Sequence, residues 1–427
     1  MEKGTCSALH RMNILVVAII SMIFSACSSN GGQENDNSQA LDVIYSSAES
    51  DNPNKSGDDS ISLTEASALM DCAGAGSFND PHVPSGAGPW FEGWYTRVSD
   101  GQGSRSVAVI VASYLPTGET YVPGKYLPGY INVLVSEGDG APTLSYTVFP
   151  EKTMSLVNGE PVAENPVISC DKESDFEWIA EGYGGITEDT IDIELPGIAD
   201  VYIHTSNRLP WNIEDPSKSI EGWMAYYQFP THWWVNSLGS DAEYKYTLYD
   251  ENGSTATHQG TGYAEQEKNW SAVFPRAWIW SQGIANGNTA QYVLTSTKVE
   301  LMPGVVLFPW LASYRSPAIS WNFNFMWAGS YLKTIKDPCA GTCTLVFRDT
   351  YRSLVFDMSA PPGSFGDVSI PTSEGFVPEM GGESFSATVN VTAYRHNPLF
   401  GLKKRVDSQV FKNAVLEFGN EWRCMDK

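Results

Sequence analysis

Phe385-Ser386-Ala387-Thr388-Val389-Asn390-Val391-Thr392-Ala393 alternates apolar and polar residues without a break. Successive side chains of a β-strand leave opposite faces of the sheet. The stretch therefore reads as a strand with Phe385, Ala387, Val389, Val391 and Ala393 against a core and Ser386, Thr388, Asn390 and Thr392 outward. The same period recurs upstream. Thr190-Ile191-Asp192-Ile193-Glu194-Leu195 alternates as strictly, and Val293, Thr295, Thr297, Val299 and Leu301 form a further stripe. Ser106 to Tyr114 is a continuous apolar run, the pattern of a strand covered on both faces. Asn252-Gly253 behind Tyr244-Lys245-Tyr246-Thr247-Leu248-Tyr249 signals a hairpin. Long segments of period 3.6 are absent beyond the N-terminal leader. With 38 Gly and 25 Pro as punctuation, the body from about residue 76 is expected to be all-β, as barrels or sandwiches. Closure into barrels would remove exposed edges and create an interior able to hold a ligand.

The chain has 427 residues, 42% apolar and 18% charged, which is enough apolar material for a sizeable core. Its length suggests two or three domains. Acidic residues outnumber basic ones 50 to 26, for a net charge of −24. No basic stretch is long enough to displace the counterions of a nucleic acid, so nucleic-acid binding is not expected. Every Trp lies at or beyond Trp90, which separates an acidic, aromatic-poor N-terminus from an aromatic-rich body.

Residues 1–26 read as a secretory signal. Lys3, His10 and Arg11 supply the positive start, and Ile14 to Phe24 is an apolar stretch too short for the roughly 20 residues of a spanning helix. Phe24-Ser25-Ala26-Cys27 resembles a bacterial lipobox, which implies lipidation of Cys27; an ordinary cleaved signal is the alternative. Residues 27–75 read as a disordered acidic tether, because they hold too little apolar surface to offset ordering. The expected location is an exported lipoprotein at the outer membrane, facing the periplasm, with the membrane as partner through its N-terminus. Within the tether, Ser62-Leu63-Thr64-Glu65 is a capping box before a short helix. Asn54 to Glu65 has loose calcium-loop spacing, but Asp59 stands where the turn needs Gly, so solvated tether is favoured.

Cys72, Cys170, Cys339, Cys343 and Cys424 remain for the exported body, where disulfides can form. Cys339 and Cys343 flank a Gly-containing turn that can close a small loop, although connectivity stays open. The histidines are scattered, so no metal is expected. Gly118 to Lys125 has one residue too many for a P-loop, and Tyr126 replaces the Mg²⁺-binding hydroxyl residue. No GxSxG elbow occurs. Nucleotide and acyl-transfer chemistry have no support.

Three blocks carry a resemblance. They are Trp90-Phe91-Glu92-Gly93-Trp94-Tyr95-Thr96-Arg97-Val98; Trp223 through Trp233 with Pro230-Thr231-His232-Trp233; and Gly262 through Trp270 with Glu265-Gln266-Glu267-Lys268-Asn269-Trp270, followed by Phe274-Pro275-Arg276-Ala277-Trp278-Ile279-Trp280-Ser281-Gln282. In order and spacing they are similar to the tocopherol cyclase family, whose relatives include carotenoid hydratase-like and lipocalin-like cyclase proteins. The blocks cover about residues 76–300. Two departures stand out. The Tyr263–Glu267 spacing is longer than usual, so Glu265 competes with Glu267 for one role, and Ser271 replaces a Gly. The resemblance implies two lipocalin-like antiparallel β-barrels side by side, here drawn as 76–225 and 226–427. It also implies a hydrophobic pocket, closure of the chromanol ring of a prenylated quinol, and no cofactor.

Such closure begins with a proton delivered to an alkene carbon. A carboxyl group in a dry pocket has a raised pKa and keeps that proton at neutral pH. Aromatic faces then stabilise the tertiary cation, and water must be excluded or the product is an alcohol. Glu267, Glu92 and Glu265 are the candidate acids, and His232 could bond a quinol hydroxyl. Trp90, Trp94, Tyr95, Trp233, Trp270, Trp278, Trp280 and Gln282 are candidate ligand walls. The competing reading of each acid is a buried ion pair with Arg97, Lys268 or Arg276 that fixes a barrel corner. Three functions follow: a cyclase of an isoprenoid, a non-catalytic membrane-anchored carrier of a lipid or isoprenoid, and an isoprenoid hydratase.

Overall fold

Period-two sequence produces strands almost throughout. The structure is a computed structural model and describes residues 79–424, apart from 85, 102–103, 166–174, 217, 227–230, 273 and 303. The expected signal peptide, Cys27, the tether with its capping box, Cys72 and Cys170 lie outside the described residues.

The first sheet contains β1 (Trp90–Asp100), β2 (Ser106–Leu115), β3 (Gly129–Ser136), β4 (Leu144–Val148), β5 (Thr153–Val157), β6 (Glu160–Pro161), β7 (Phe176–Ala180), β8 (Gly184–Thr187), β9 (Thr190–Leu195), β10 (Ala199–Ser206), β11 (Thr231–Tyr249) and β12 (Thr255–Ser271). Neighbours run β4-β3-β2-β1-β12-β11-β10-β9-β8-β7-β5-β6. Leu127 and Thr153 exchange both backbone hydrogen bonds, at 3.0 and 2.7 Å, and so join the two ends of the curl at its rim. The second sheet contains β13 (Ala277–Ile284), β14 (Gln291–Met302), β15 (Val305–Leu307), β16 (Trp310–Arg315), β17 (Ser320–Asn324), β18 (Tyr331–Asp337), β19 (Thr342–Arg348), β20 (Arg352–Ser359), β21 (Gly366–Thr372), β22 (Gly375–Asn397) and β23 (Leu402–Asn420). Its main path runs β17-β16-β14-β13-β23-β22-β20-β19-β18. Arg352, at the start of β20, reaches across to the end strand β17, with Nη2 3.3 Å from the Asn322 carbonyl and its guanidinium 4.9 Å from the Phe323 ring. The fold is thus two lipocalin-like antiparallel barrels.

The boundary expected at residue 226 moves. β11 and β12 complete the first sheet by pairing with β10 and β1, so the division falls between Ser271 and Ala277. Pro275, which has no N–H for a ladder, stands in that connection.

Each barrel has a packed interior, and a third apolar layer lies between them. β2 shows how. Val107, Val109 and Val111 enter the first barrel's core, while Ala108 and the half-buried Ile110 join the layer between the barrels. The continuous apolar run is the consequence of that double burial, and each fully buried aliphatic side chain stabilises by about 1.5–3 kcal/mol. One face assignment is corrected. Ala387, Val389, Val391 and Ala393 fill the second barrel, but Phe385 joins the layer between the barrels. The β22–β23 register shifts between Ser384 and Ala387, and an inserted bulge residue reverses which face follows.

Among the described residues a disulfide joins Cys339 to Cys424, with Cα atoms 4.7 Å apart, and Cys343 is free. The Cys339–Cys343 loop does not form, because Cys343 points into the second barrel's core while Cys339 sits in the turn that meets the C-terminal segment. A cross-link across 85 residues restricts the unfolded chain. Cys424→Ser is expected to cost about 2–4 kcal/mol, and reductant should lower the wild-type melting temperature by more than that of the variant in a thermal scan.

Candidate active site

β1 lies antiparallel to β12, with Glu92 opposite Trp270, Trp94 opposite Lys268, Tyr95 opposite Glu267 and Arg97 opposite Glu265. Directly opposed residues share a face, so this one pairing separates the sequence's candidates into two groups. Even-numbered residues turn to the mouth of the first barrel. Odd-numbered residues turn to the layer between the barrels.

On the even face Glu92 is held as an ion pair. Lys268 Nζ lies 3.1 Å from Glu92 Oε1 and donates to the Asp80 carbonyl at 2.6 Å. The His82 backbone N–H donates to Glu92 Oε2 at 2.8 Å, and His82 Nδ1 lies 2.8 Å from Oε1, the geometry of the Nδ1–H tautomer. Burial pushes the Glu92 carboxyl up, but Lys268 and His82 outweigh it and hold it below the usual value. Burial, then the Lys268 charge, lowers His82 to about 4, so it is neutral at pH 7. The rings of His82 and His232 both stack on Trp270, with centroids at 3.9 and 4.8 Å. His232 Nδ1 lies 3.1 Å from Glu221 Oε2, whose other oxygen accepts from the Trp233 N–H at 2.9 Å. Trp90 and Trp234 pack beside Trp270, and the Trp94 indole donates to the Asn79 carbonyl at 3.1 Å. Residues 79–82 thereby form a strap bonded to Trp94, Glu92 and Lys268.

The odd face collects acids. Glu265 and Glu267 from β12 meet Glu383 of β22 and Glu417 of β23, which oppose each other in register. The Tyr95 hydroxyl donates to Glu383 Oε1 at 2.6 Å, and the Trp280 indole donates to Glu267 Oε2 at 3.2 Å. Arg97 is fully buried; its Nη2 donates to Ser106 Oγ at 2.7 Å and to the Asn413 carbonyl at 2.5 Å. Burial is the main cause of the shift in every acid. It pushes Glu267 up to about 8 and Glu383 up to about 7, the latter opposed by Tyr95 and Arg97. Glu265 rises well above the carboxylate range through burial and the Glu267 charge beside it, and Glu417 rises likewise through burial and Glu383. Protons, more than cations, neutralise this cluster.

The same layer leaves polar atoms unmatched. Arg97 Nε and Nη1, both Gln282 amide atoms and the Trp233 indole nitrogen are buried with no hydrogen-bond partner among the described residues. Neither Glu265 oxygen meets a donor from another group, which favours a proton kept on Glu265 and directed at Glu267. Buried polar groups in native proteins are normally satisfied, so such a cluster marks a place for a polar guest. Glu267 also borders a crevice of about 10 Å³, room for about one water, which opens on the first-barrel side of the ladder among Trp94, Thr96, Ile186, Ile191, Asn236 and Gln266.

Of the sequence candidates, Glu265, Glu267, Tyr95, Trp233, Trp278, Trp280 and Gln282 come together between the barrels. Glu92, His232, Trp90, Trp94 and Trp270 gather on the other face. Glu383, Glu417, Glu221 and His82 were not singled out. Glycine was the one available signal for the first two. A side chain on Gly419 would overlap the Trp278 ring, and one on Gly381 would crowd it.

Removing Lys268 strands a buried carboxylate. Lys268→Met is expected to cost about 3–5 kcal/mol, and Glu92→Gln/Lys268→Met less than the sum of the single changes, read from a denaturant double-mutant cycle. His82 and Glu92 have folded pKa values below their unfolded ones. Their contribution is present above the unfolded values and is lost as pH falls toward 4. Hydrogen-exchange protection factors in residues 79–83, taken relative to the intrinsic rate at each pH, should fall as pH is lowered from about 6.5 to 4.

No family model matches the sequence, and no curated protein matches it. Among solved structures, CghA with Sch210972 superposes with a TM-score of 0.50 at 12% identity, over 78% of this chain and 89% of that one. Kievitone hydratase from Nectria haematococca matches with a TM-score of 0.41 at 10% identity, over 81% of this chain and 95% of that one. The likeness to CghA is one of fold, the lipocalin-like pair of barrels.

Proposed function

We propose that the chain is a cofactor-independent cyclase of the tocopherol cyclase type, acting on a prenylated quinol or related isoprenoid between its barrels. The supporting observation is Glu267, a carboxyl group 6% exposed that keeps its proton to about pH 8 beside the Trp280 indole in the layer between the barrels. Glu267 gives its proton to the less substituted alkene carbon, and a tertiary cation forms. The faces of Trp233, Trp280 and Tyr95 stabilise that cation without attacking it. The phenol oxygen lone pair then forms the new C–O bond, and the phenolic proton returns to the carboxylate. Glu265 poises Glu267, because two adjacent carboxyl groups in a dry site cannot both ionise. In this reading Glu92 and His232 are structural: each is tied into an ion pair or hydrogen bond on the opposite face. The aromatic side chains of the layer are buried and packed together, so binding a quinol there requires them to part.

Hydration is the second reading, favoured by the unmatched Gln282 and Arg97 atoms. A water held there would capture the same cation and release a tertiary alcohol. A carrier would hold its lipid or isoprenoid in the same layer without chemistry. Lipidation of Cys27 would keep any of the three near a membrane source of ligand.

Incubation of the full chain with a prenylated hydroquinone, followed by chromatography and mass spectrometry, separates the readings. An isomer of unchanged mass is expected; a product heavier by one water indicates hydration, and co-purified lipid without turnover indicates a carrier. Glu267→Gln should lower kcat by about 10²-fold or more with the circular dichroism spectrum unchanged. The acid form is active, so wild-type kcat should fall as pH rises through about 8.

A further inference from the structure

The β22–β23 hairpin turns through Asn397-Pro398-Leu399-Phe400-Gly401-Leu402 and continues as Lys403-Lys404-Arg405. Leu399 is 87% exposed, Phe400 73% and Leu402 64%. Isolated exposed apolar residues are ordinary, but three within four positions at a projecting tip form a patch that wants cover. The charge around it is unusual for this chain. From Tyr394 to Val406 there are four cations, Arg395, Lys403, Lys404 and Arg405, and no acidic residue, whereas the whole chain has 50 acidic and 26 basic residues. Arg395 opposes Lys404 across the hairpin, so the cations lie together just behind the apolar tip. Among the described residues none of the four forms an ion pair.

The neighbouring strand ends extend this surface. The His396 N–H donates to the Tyr351 carbonyl at 2.6 Å, which places the exposed Tyr351 turn beside the tip. Tyr331 opposes Arg348 at the same end of the barrel, with the guanidinium 5.9 Å from its ring, and Tyr331 is exposed. An apolar point, a collar of cations and amphipathic tyrosines is the layered chemistry of a bilayer interface: acyl chains, headgroup phosphates, then water.

We propose that this end of the second barrel docks on an anionic lipid surface, with Leu399, Phe400 and Leu402 entering the acyl boundary and Lys403, Lys404, Arg405 and Arg395 meeting phosphate. A membrane fits better than a protein groove because cations dominate the charge around the apolar tip, the one acid of the neighbouring turn, Asp349, being paired with Arg352. The acidic remainder of the chain is repelled by the same surface, which fixes which end approaches it. The contact depends neither on the chemistry between the barrels nor on Cys27.

A local readout keeps it apart from any N-terminal membrane contact. The full chain is treated with trypsin and cleavage after Lys403, Lys404 and Arg405 is followed by mass spectrometry, with phosphatidylglycerol vesicles, with phosphatidylcholine vesicles and without lipid. At a contribution of roughly fivefold for each cation near the surface, cleavage should slow by more than about tenfold with phosphatidylglycerol alone. The protection should weaken at high salt. It should disappear in Leu399→Asp/Phe400→Asp, which retains every cleavage site. Equal cleavage in all three conditions overturns the proposal. So does protection that grows with protein concentration in the absence of lipid, which would make the tip's partner a second copy of this chain.

Discussion

The antiparallel pairing of β1 with β12 is the constraint on which the rest depends. A strand offers two faces, and here neither faces water. One face closes the first barrel and the other abuts the second. Charged residues on these strands therefore have no solvent to retreat to, and each must be neutralised where it stands. Lys268 does this for Glu92. On the opposite face, protons do it for the carboxyl groups around Glu267. Two remedies for the same desolvation cost stand on opposite sides of one ladder.

The choice of remedy has chemical meaning. An ion pair removes reactivity, because it holds the carboxylate deprotonated and the ammonium occupied. A proton-neutralised pair stores an acid. Glu265 and Glu267 are two residues apart on one strand, and that spacing puts both on one face. Arg97 opposes Glu265, but its guanidinium reaches toward Ser106 and the Asn413 carbonyl. Glu383 and Glu417 arrive from the second barrel and add two more acids. The acidic character of this layer thus needs both barrels, and neither sheet alone would create it.

Much of the fold was legible because strand periodicity is a local property. The alternation at 190–195 and 385–393 and the doubly apolar run at 106–114 name their own conformation. What escaped was non-local. The bulge that reverses Phe385 depends on its partner strand, and the barrel boundary depends on which strands β11 and β12 choose. The pairing of Cys339 with Cys424 depends on where the chain end is delivered. Within the site, Glu265, Glu267, Tyr95 and Trp280 could be read as one group because they lie on neighbouring stretches with clear motifs. Glu383 and Glu417 could not, since only the folded register brings them to Glu267. His82 was invisible for the same reason. Its role as a neutral ring between Glu92 and Trp270 exists only once the strap lies across the barrel mouth.

That strap has a mechanical consequence. Residues 79–82 join the body through side chains of β1 and β12 and the loops beside them, ahead of the first residue of β1 itself. Any pull on the chain upstream would load the Asn79–Trp94, Asp80–Lys268 and His82–Glu92 bonds before it reached the β1 ladder. The lysine and glutamate that settle the charge of the inner face are also among the first of the described links to bear tension, like the clip on a cable that protects the joint behind it.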